Sequence, residues 1–430
     1  MLDKKTFCSS PWFHMRINSQ GYYEFCRWTF KDSKYRDQTP HICDVDPETY
    51  FKDHMAPIRM SMLNGERIPE CSDCYKMDEH NKVSGRLSQL LKVGVLNNHF
   101  EKSLASSPWA NEFKYSLENN GDTTQLPVDW QVDLGNFCNS ACIFCHPTSS
   151  SKLASEWKKI GLIQNLPPNA WCNNEEYLSK FIELLVKTPG LRYIHFIGGE
   201  TLITPAYERI LQALVDANKT DLSIGFTTNL TVWDNSIIDL MSKFESVNVG
   251  LSIETFHPVN DYVRWPSKID QVRETLDRWV EVSNKHNWLM QIRITPTIFT
   301  VMYLSSLYQY ALENNIAIQS CNFLTEPEYM RPSLLPEEMR DQAISNLQLL
   351  LSNQEVNNID TIVNARNPNT IPAQLVQDAQ SYINYLTNEV YEPEYIPELV
   401  KYLKKIEGSR NNSILDYLPN YEEFLRNNGY

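Results

Sequence analysis

The chain has 430 residues, 42% of them apolar and 11% aromatic, enough for two or three globular cores. Its formal net charge of −14 argues against a general nucleic-acid or anionic-membrane surface, and no apolar run approaches the roughly 18 residues of a membrane helix. The opening Met-Leu-Asp-Lys-Lys-Thr-Phe-Cys lacks the apolar stretch of a signal peptide; a cytoplasmic location is expected, where clustered cysteines read as metal binding rather than disulfides.

Residues 1–80 are rich in cysteine and aromatic side chains. Cys8-Ser-Ser-Pro11-Trp12 is followed by Ile17-Asn18 and Gly21-x4-Cys26, and Pro69-Glu-Cys71-Ser-Asp-Cys74 closes the segment. The Cys71-x2-Cys74 pair is a generic metal half-site for which zinc is the usual occupant. Cys43 lies between the two groups. A polar, helical connection spans 81–127.

Residues 128–330 alternate apolar strands with amphipathic helices. Strands are expected over 128–134, 191–197, 222–228, 247–253, 289–295 and 317–324, and helices over 149–160, 205–218, 236–244, 268–283 and 305–314. Repeated βα units imply a parallel sheet with right-handed crossovers. Six strands predict an α/β fold, a partial (βα)6 barrel with its ligand loops at the C-terminal strand ends. The last stretch, 331–430, reads as helical and Asn-rich, punctuated by Pro332, Pro336 and Pro368, and is expected to pack against the core.

The loop after the first core strand carries Cys138-x3-Cys142-x2-Cys145. Three thiolates supply one metal centre and leave a fourth position open, whereas iron–sulfur clusters normally take four cysteines. Two other readings compete. Cys142-Ile-Phe-Cys145-His146 has the form of a haem-attachment motif, and a Cys3His zinc site could use His146, although adjacent ligands rarely reach the same tetrahedral metal.

Further polar groups sit at strand ends. Gly198-Gly199-Glu200 follows the second core strand, where glycines admit close backbone approach and a carboxylate can accept from an ammonium group. The third strand ends in Thr227-Thr228-Asn229-Leu230-Thr231. The fourth ends in Ser252-Ile253-Glu254, with Ser252 and Glu254 on one face by period two. Such groups suit a ribose. Arg264, in Asn260-Asp-Tyr-Val-Arg264-Trp, can hold a carboxylate bidentately. Each also has an ordinary reading as a strand-end hydrogen bond or surface ion pair. Cys321, late in the sixth strand, is a candidate hydrogen-atom donor, with a buried core thiol as its ordinary alternative.

The cysteine loop, Gly198-Gly199-Glu200, the Asn229 and Glu254 strand ends and Tyr262-Val263-Arg264 together resemble the radical S-adenosylmethionine (radical SAM) superfamily. The resemblance implies a 4Fe–4S cluster on Cys138, Cys142 and Cys145, with SAM chelating the open iron. It implies that Gly198, Gly199 and Glu200 meet SAM's amino group, Arg264 its methionine carboxylate and Phe144 its adenine. Thr201 stands where the family usually has proline. Cys8, Cys26, Cys71 and Cys74 resemble the ligands of SPASM and twitch auxiliary domains, implying a second, auxiliary 4Fe–4S cluster; such domains usually follow the core, whereas here the segment precedes it.

The expected activity is reductive cleavage of SAM to a 5′-deoxyadenosyl radical that abstracts hydrogen from a substrate. The expected substrate is a peptide or protein, the alternative a sugar, nucleotide or other small metabolite. An electron donor such as flavodoxin or ferredoxin is implied. From a different class comes a non-catalytic, metal-stabilised binding protein.

Overall fold

The computed structural model describes residues 2–26, 40–79, 84–319, 323–324, 326–352 and 371–430. An eight-stranded sheet organises them: β1 (His14–Ile17), β2 (Tyr23–Glu24), β3 (Asp129–Asp133), β4 (Tyr193–Ile197), β5 (Ser223–Thr228), β6 (Ser246–Ser252), β7 (Leu289–Arg293) and β8 (Ala317–Ile318). The spatial order is β2-β1-β3-β4-β5-β6-β7-β8. The β1–β2 pair is antiparallel, and every other pair is parallel. β2 and β8 are the edges, so the sheet curls without closing, as a partial barrel.

Five of the six expected core strands lie where the periodicity puts them, to within two residues; of the sixth, expected over 317–324, the described residues form a strand over Ala317–Ile318, and residues 320–322 lie outside the described residues. The unexpected feature is at the other edge. The Cys-rich N-terminal segment adds β1 and β2 to the core sheet, β1 running parallel to β3 with His14 opposite Asp129 and Ile17 opposite Val132. Its docking is therefore a strand pairing.

Helices cover the chain in order: α1 (Ala56–Leu63), α2 (Ser72–Glu79), α3 (Gly85–Lys92), α4 (Ala110–Glu118), α5 (Ser151–Lys159), α6 (Glu175–Lys187), α7 (Pro205–Asp216), α8 (Asn235–Met241), α9 (Ile269–His286), α10 (Leu304–Glu313), α11 (Glu337–Ser352), α12 (Ile371–Asn388) and α13 (Ile396–Arg410). α6 was not expected. Its Leu178, Phe181 and Leu185 recur at helical spacing, and Asn174 caps it by accepting from the Glu176 and Tyr177 N–H groups. No helix among the described residues is long and apolar enough to cross a membrane.

The two faces of the sheet differ in chemistry. On the outer face Ile194, Phe196, Ile224, Phe226, Val249 and Leu251 are buried beneath helices. Phe181 of α6, Tyr207 of α7 and Trp279 of α9 meet Trp130, Phe196 and Phe226 with ring centroids 4.9–5.5 Å apart. Each such side chain contributes about 1.5–3 kcal/mol by leaving water. The register aligns Gln131, His195, Gly225 and Asn248 across the inner face. Apolar residues thus build the barrel wall, and polar residues line its interior.

The N-terminal unit has a polar core of its own. Arg59, fully buried, donates to the carbonyls of Pro11, Phe51, Lys52 and Gly121 at 2.5–3.1 Å. Trp12 Nε1 donates to Ser116 Oγ at 2.8 Å, tying the first loop to α4.

Candidate metal and cofactor centre

The loop from Leu134 to Ser150 leaves β3 at the C-terminal end of the sheet and carries Cys138, Cys142 and Cys145. A loop lacking regular structure must still pair its buried backbone groups. Around Cys142 it does so on both sides. Ala141 and Ile143 donate to the carbonyls of Trp265 and Val263 at 2.7 and 2.9 Å. Their own carbonyls accept from Arg410 Nη2 at 2.7 Å and from the Tyr402 hydroxyl at 3.0 Å. Both of these side chains come from α13, in the C-terminal stretch expected only to pack against the core.

The three thiols converge. Burial pushes Cys138 up to about 11 and Cys145 up to about 12, and for Cys145 the neighbouring Cys142 and Cys138 add to the rise. Cys142 is also raised by burial, while the Arg264 guanidinium favours its charged form. Cys138 Sγ accepts from the Ser140 N–H at 3.4 Å, and Asn229 Nδ2 stands 3.9 Å away. His146 Nδ1 is engaged with Thr148 Oγ1 at 2.8 Å. Three buried thiols, with His146 engaged elsewhere, fit a cluster with one open position better than a closed Cys3His zinc site.

The remaining strand-end residues gather around this loop. Gly199 donates to the Gly135 carbonyl at 2.7 Å and Glu200 N–H to the Phe137 carbonyl at 2.8 Å. A Cβ on Gly199 would stand 2.2 Å from the Phe137 oxygen, and Gly198 has φ +140°. The glycines therefore admit the backbone of the cysteine loop. Glu200 is fully buried; its carboxylate accepts from the Leu202 N–H at 3.2 Å and the Asn229 N–H at 2.6 Å. Burial outweighs those bonds and pushes its carboxyl up to about 7. Asn229 Nδ2 donates to Asn139 Oδ1 and Ser140 Oγ at 2.9 and 3.0 Å, and its Oδ1 accepts from Thr231, so its amide is spent on the loop.

Arg264 is buried with its Nε and Nη2 on Glu254, the Nε contact being 3.2 Å, and its guanidinium lies 5.4 Å from the Phe144 ring centroid. Glu254 also accepts from the Thr295 N–H at 2.5 Å. The fork expected to meet a carboxylate thus meets one from its own chain. Ser252 ends β6 opposite Arg293 of β7. Cys321 lies outside the described residues.

A cysteine loop at the end of β3, backed by a Gly-Gly-Glu turn and by polar ends of β5 and β6, decides the domain type. Residues 132–295 match the Radical SAM superfamily model. No curated protein matches the chain. Among solved structures, the chain is similar to SuiB of Streptococcus suis bound to S-adenosylmethionine, at 15% identity and TM-score 0.35, covering 71% of this chain and 65% of that one. It is similar to anSMEcpe with bound AdoMet at 16% identity and TM-score 0.36, covering 53% and 61%. A third is the radical S-adenosylmethionine methyltransferase TsrM of Kitasatospora setae, at 12% identity and TM-score 0.34, covering 65% and 61%. The chain therefore spans a little under two thirds of these proteins' length.

At the other end of the radical SAM domain's sheet lies a second group of thiols. Cys8 precedes β1, and Cys26 follows β2, which runs back against β1. Both therefore sit toward the N-terminal strand ends, opposite Cys138. Cys71 and Cys74, at the head of α2, join them. Burial raises the Cys8 and Cys71 thiols, and Cys26 and Cys74 raise both further. Cys8 accepts from the Ser10 N–H. Cys74, also raised by burial, accepts from the Gly85 and Arg86 N–H groups at the start of α3. Amides aimed at sulfur favour the thiolate. Cys43 stands apart, 2.7 Å from His41 Nδ1.

Between the two groups of thiols the inner face carries side chains that lie flat across the sheet. The Tyr193 hydroxyl meets His195 Nδ1 at 3.1 Å, and His195 Nε2 lies 3.4 Å from Arg293 Nη2. Two mid-strand glycines make room: a Cβ on Gly225 would stand 2.4 Å from the Tyr193 hydroxyl, and one on Gly250 would stand 2.6 Å from Arg293 Nε. Glycine weakens a strand interior and marks a site of close approach.

Proposed function

We propose that the chain is a radical SAM enzyme with two 4Fe–4S clusters that acts on a peptide or protein. The observation that carries the reading is the convergence of Cys138, Cys142 and Cys145 in one loop whose backbone is pinned on both sides. When bound, the cluster and SAM would supply a 5′-deoxyadenosyl radical by reductive cleavage, which abstracts hydrogen from substrate.

The chain's own residues position and shield that chemistry. Cys138, Cys142 and Cys145 would hold the first cluster through their three thiolates. Glu200, fixed by two backbone amides, offers a carboxylate edge to SAM's amino group, and Gly198 and Gly199 seat the cysteine loop beside it. Phe144 would pack beside adenine and Ser252 face the ribose, whereas Arg264 and Glu254 hold each other, with the Arg264 guanidinium against the Phe144 ring. Asn229 acts through the loop, holding Asn139 and Ser140 in place. Cys8, Cys26, Cys71 and Cys74 would hold the auxiliary cluster, which when bound would supply an electron-transfer centre suited to a net oxidation or crosslink rather than isomerisation. The polar inner face would receive the substrate between the two centres. The peptide assignment rests on the likeness of the N-terminal cysteines to auxiliary domains.

Anaerobic reconstitution with iron, sulfide and zinc analysis tests the reading, followed by dithionite and SAM with detection of 5′-deoxyadenosine. Two clusters predict about eight irons per chain and 5′-deoxyadenosine. Zinc without iron, and no SAM cleavage after reconstitution, would overturn the reading and leave a metal-stabilised scaffold.

A further inference from the structure

One groove lies outside the barrel interior, yet touches the cysteine loop. It encloses about 460 Å³ between Phe137, the start of α5, the stretch Leu166–Ala170 and the start of α7. Two of its walls are exceptions to the burial of large apolar side chains: Phe137 is 54% exposed and Leu166 49%. Pro167 and Pro168 extend the apolar wall between them. Exposed apolar side chains that share one groove offer a contact surface. Phe137 immediately precedes Cys138, so the groove is one residue from the first thiol of the proposed cluster.

The charge around the groove opposes that of the chain. No Asp, Glu, Lys or Arg occurs from Leu134 to Ser151 or from Gly161 to Asn174, in a chain of net charge −14. α5, between them, carries the exposed Lys158 and Lys159, besides Lys152, whose ammonium lies 5.0 Å from the Trp265 ring centroid, and its one carboxylate, Glu156, is neutralised by Arg410. Lys158 is exposed and follows groove-lining Ala154 and Ser155 by four and three positions, on the same helix face. At the head of α6, Glu175 and Glu176 are held by Arg209 and Lys180. Glu208 is the one acid added nearby by the first turn of α7.

We infer that this groove is the docking site of a small acidic electron-carrier protein that reduces the centre on Cys138, Cys142 and Cys145. The inference rests on the radical SAM reading above. The carrier is oxidised by one electron and the centre reduced by one, with no bond made or broken. The apolar walls place the carrier against the cysteine loop, and the lysines steer and orient it. Because the groove is on the helix side, carrier and substrate occupy opposite sides of the cluster loop and do not compete.

The test compares reconstituted wild type with Lys158→Glu/Lys159→Glu, using purified flavodoxin as the probe. By calorimetry at low salt, the charge reversal is expected to weaken flavodoxin binding at least about tenfold. Raising salt several-fold should weaken the wild type and leave the variant little changed. Leu166→Ser should weaken binding several-fold without changing the salt dependence. SAM cleavage driven by dithionite should stay within about twofold of wild type, while flavodoxin-driven cleavage falls at least about tenfold. Equal flavodoxin affinity in wild type and charge-reversed protein, or no binding by the wild type, overturns the docking site. If binding falls as expected but neither reductant yields 5′-deoxyadenosine, the docking surface stands and the radical SAM reading fails.

Discussion

Gly199 shows how a motif legible in the sequence can serve a partner the sequence does not name. Its side chain is forbidden by the Phe137 carbonyl of the cysteine loop, 2.2 Å from where a Cβ would stand, and nothing flexible can yield there. Gly199→Ala should displace that loop, costing about 1–3 kcal/mol from the strain and the broken Glu200–Phe137 bond. The expected readout is a lowered melting temperature with iron content falling at the first centre; unchanged iron retention would refute the seating role. Glu200 gives a prediction in pH. Its carboxyl is raised to about 7 by burial, above the ordinary 4.5 it regains on unfolding. The folded state therefore holds the extra proton between these values, and that stabilisation is full below about 4.5 and lost as pH rises toward 7. Its size is at most about 3 kcal/mol. Glu200→Gln should flatten this part of the stability–pH curve, measured by denaturant unfolding at pH 5 and pH 7.5; an unchanged slope would reject the raised carboxyl. The two glycines, Glu200 and the three cysteines could be picked out from spacing, but Asn229 could not be assigned to the loop. Its partners Asn139 and Ser140 lie about 90 positions away, and nothing in a strand-end Asn distinguishes a loop brace from a ribose contact.

At the scale of elements, the strands of the radical SAM domain follow from alternation between an apolar outer face and a polar inner one. α6 follows the same logic and was passed over because it lies beyond a Pro-Pro and Asn-rich stretch that reads as loop. β1 had no such signal: all four residues of His14–Ile17 are buried, so no alternation exists to be seen, and its partner β3 begins more than a hundred positions later. α13 was legible as a helix, but its role was not. Arg410 and Tyr402 reach the carbonyls on either side of Cys142 across 269 and 259 positions. Removing Arg410 leaves the Ala141 carbonyl without that donor and the largely buried Glu156 carboxylate held by Ser409 without its counter-charge, and breaking such a pair costs up to about 3–5 kcal/mol. Tyr402→Phe removes one hydrogen bond and should cost about 1 kcal/mol. Both variants should lose iron to a chelator faster than wild type, Arg410→Gln the more so, with the second centre's iron unaffected. Equal release from all three proteins would return α13 to a packing role.

At the scale of the whole molecule, the shared sheet makes the N-terminal unit and the radical SAM domain mechanically one body. Cys138 lies beyond the C-terminal end of β3, and Cys8 and Cys26 lie toward the opposite end of β1 and β2. A strand of about five residues separates the levels, on the order of 15 Å. A substrate on the inner face would lie between two thiolate centres rather than beside one, with the flat Tyr193–His195–Arg293 array beneath it. This predicts a separable second centre. In Cys71→Ala/Cys74→Ala the helix pairings that support β1 remain, because Arg86 still holds the Lys4 and Phe7 carbonyls at 2.8 and 3.0 Å. Iron should fall from about eight to about four per chain, while dithionite-driven 5′-deoxyadenosine formation without substrate persists. Consumption of substrate beyond the first hydrogen abstraction should stop, because the electron released there would have lost its acceptor. Full iron content in the double variant would show that these cysteines hold no cluster. Retained iron at four with abolished SAM cleavage would show instead that the two centres form one catalytic unit, joined through the β1–β3 ladder.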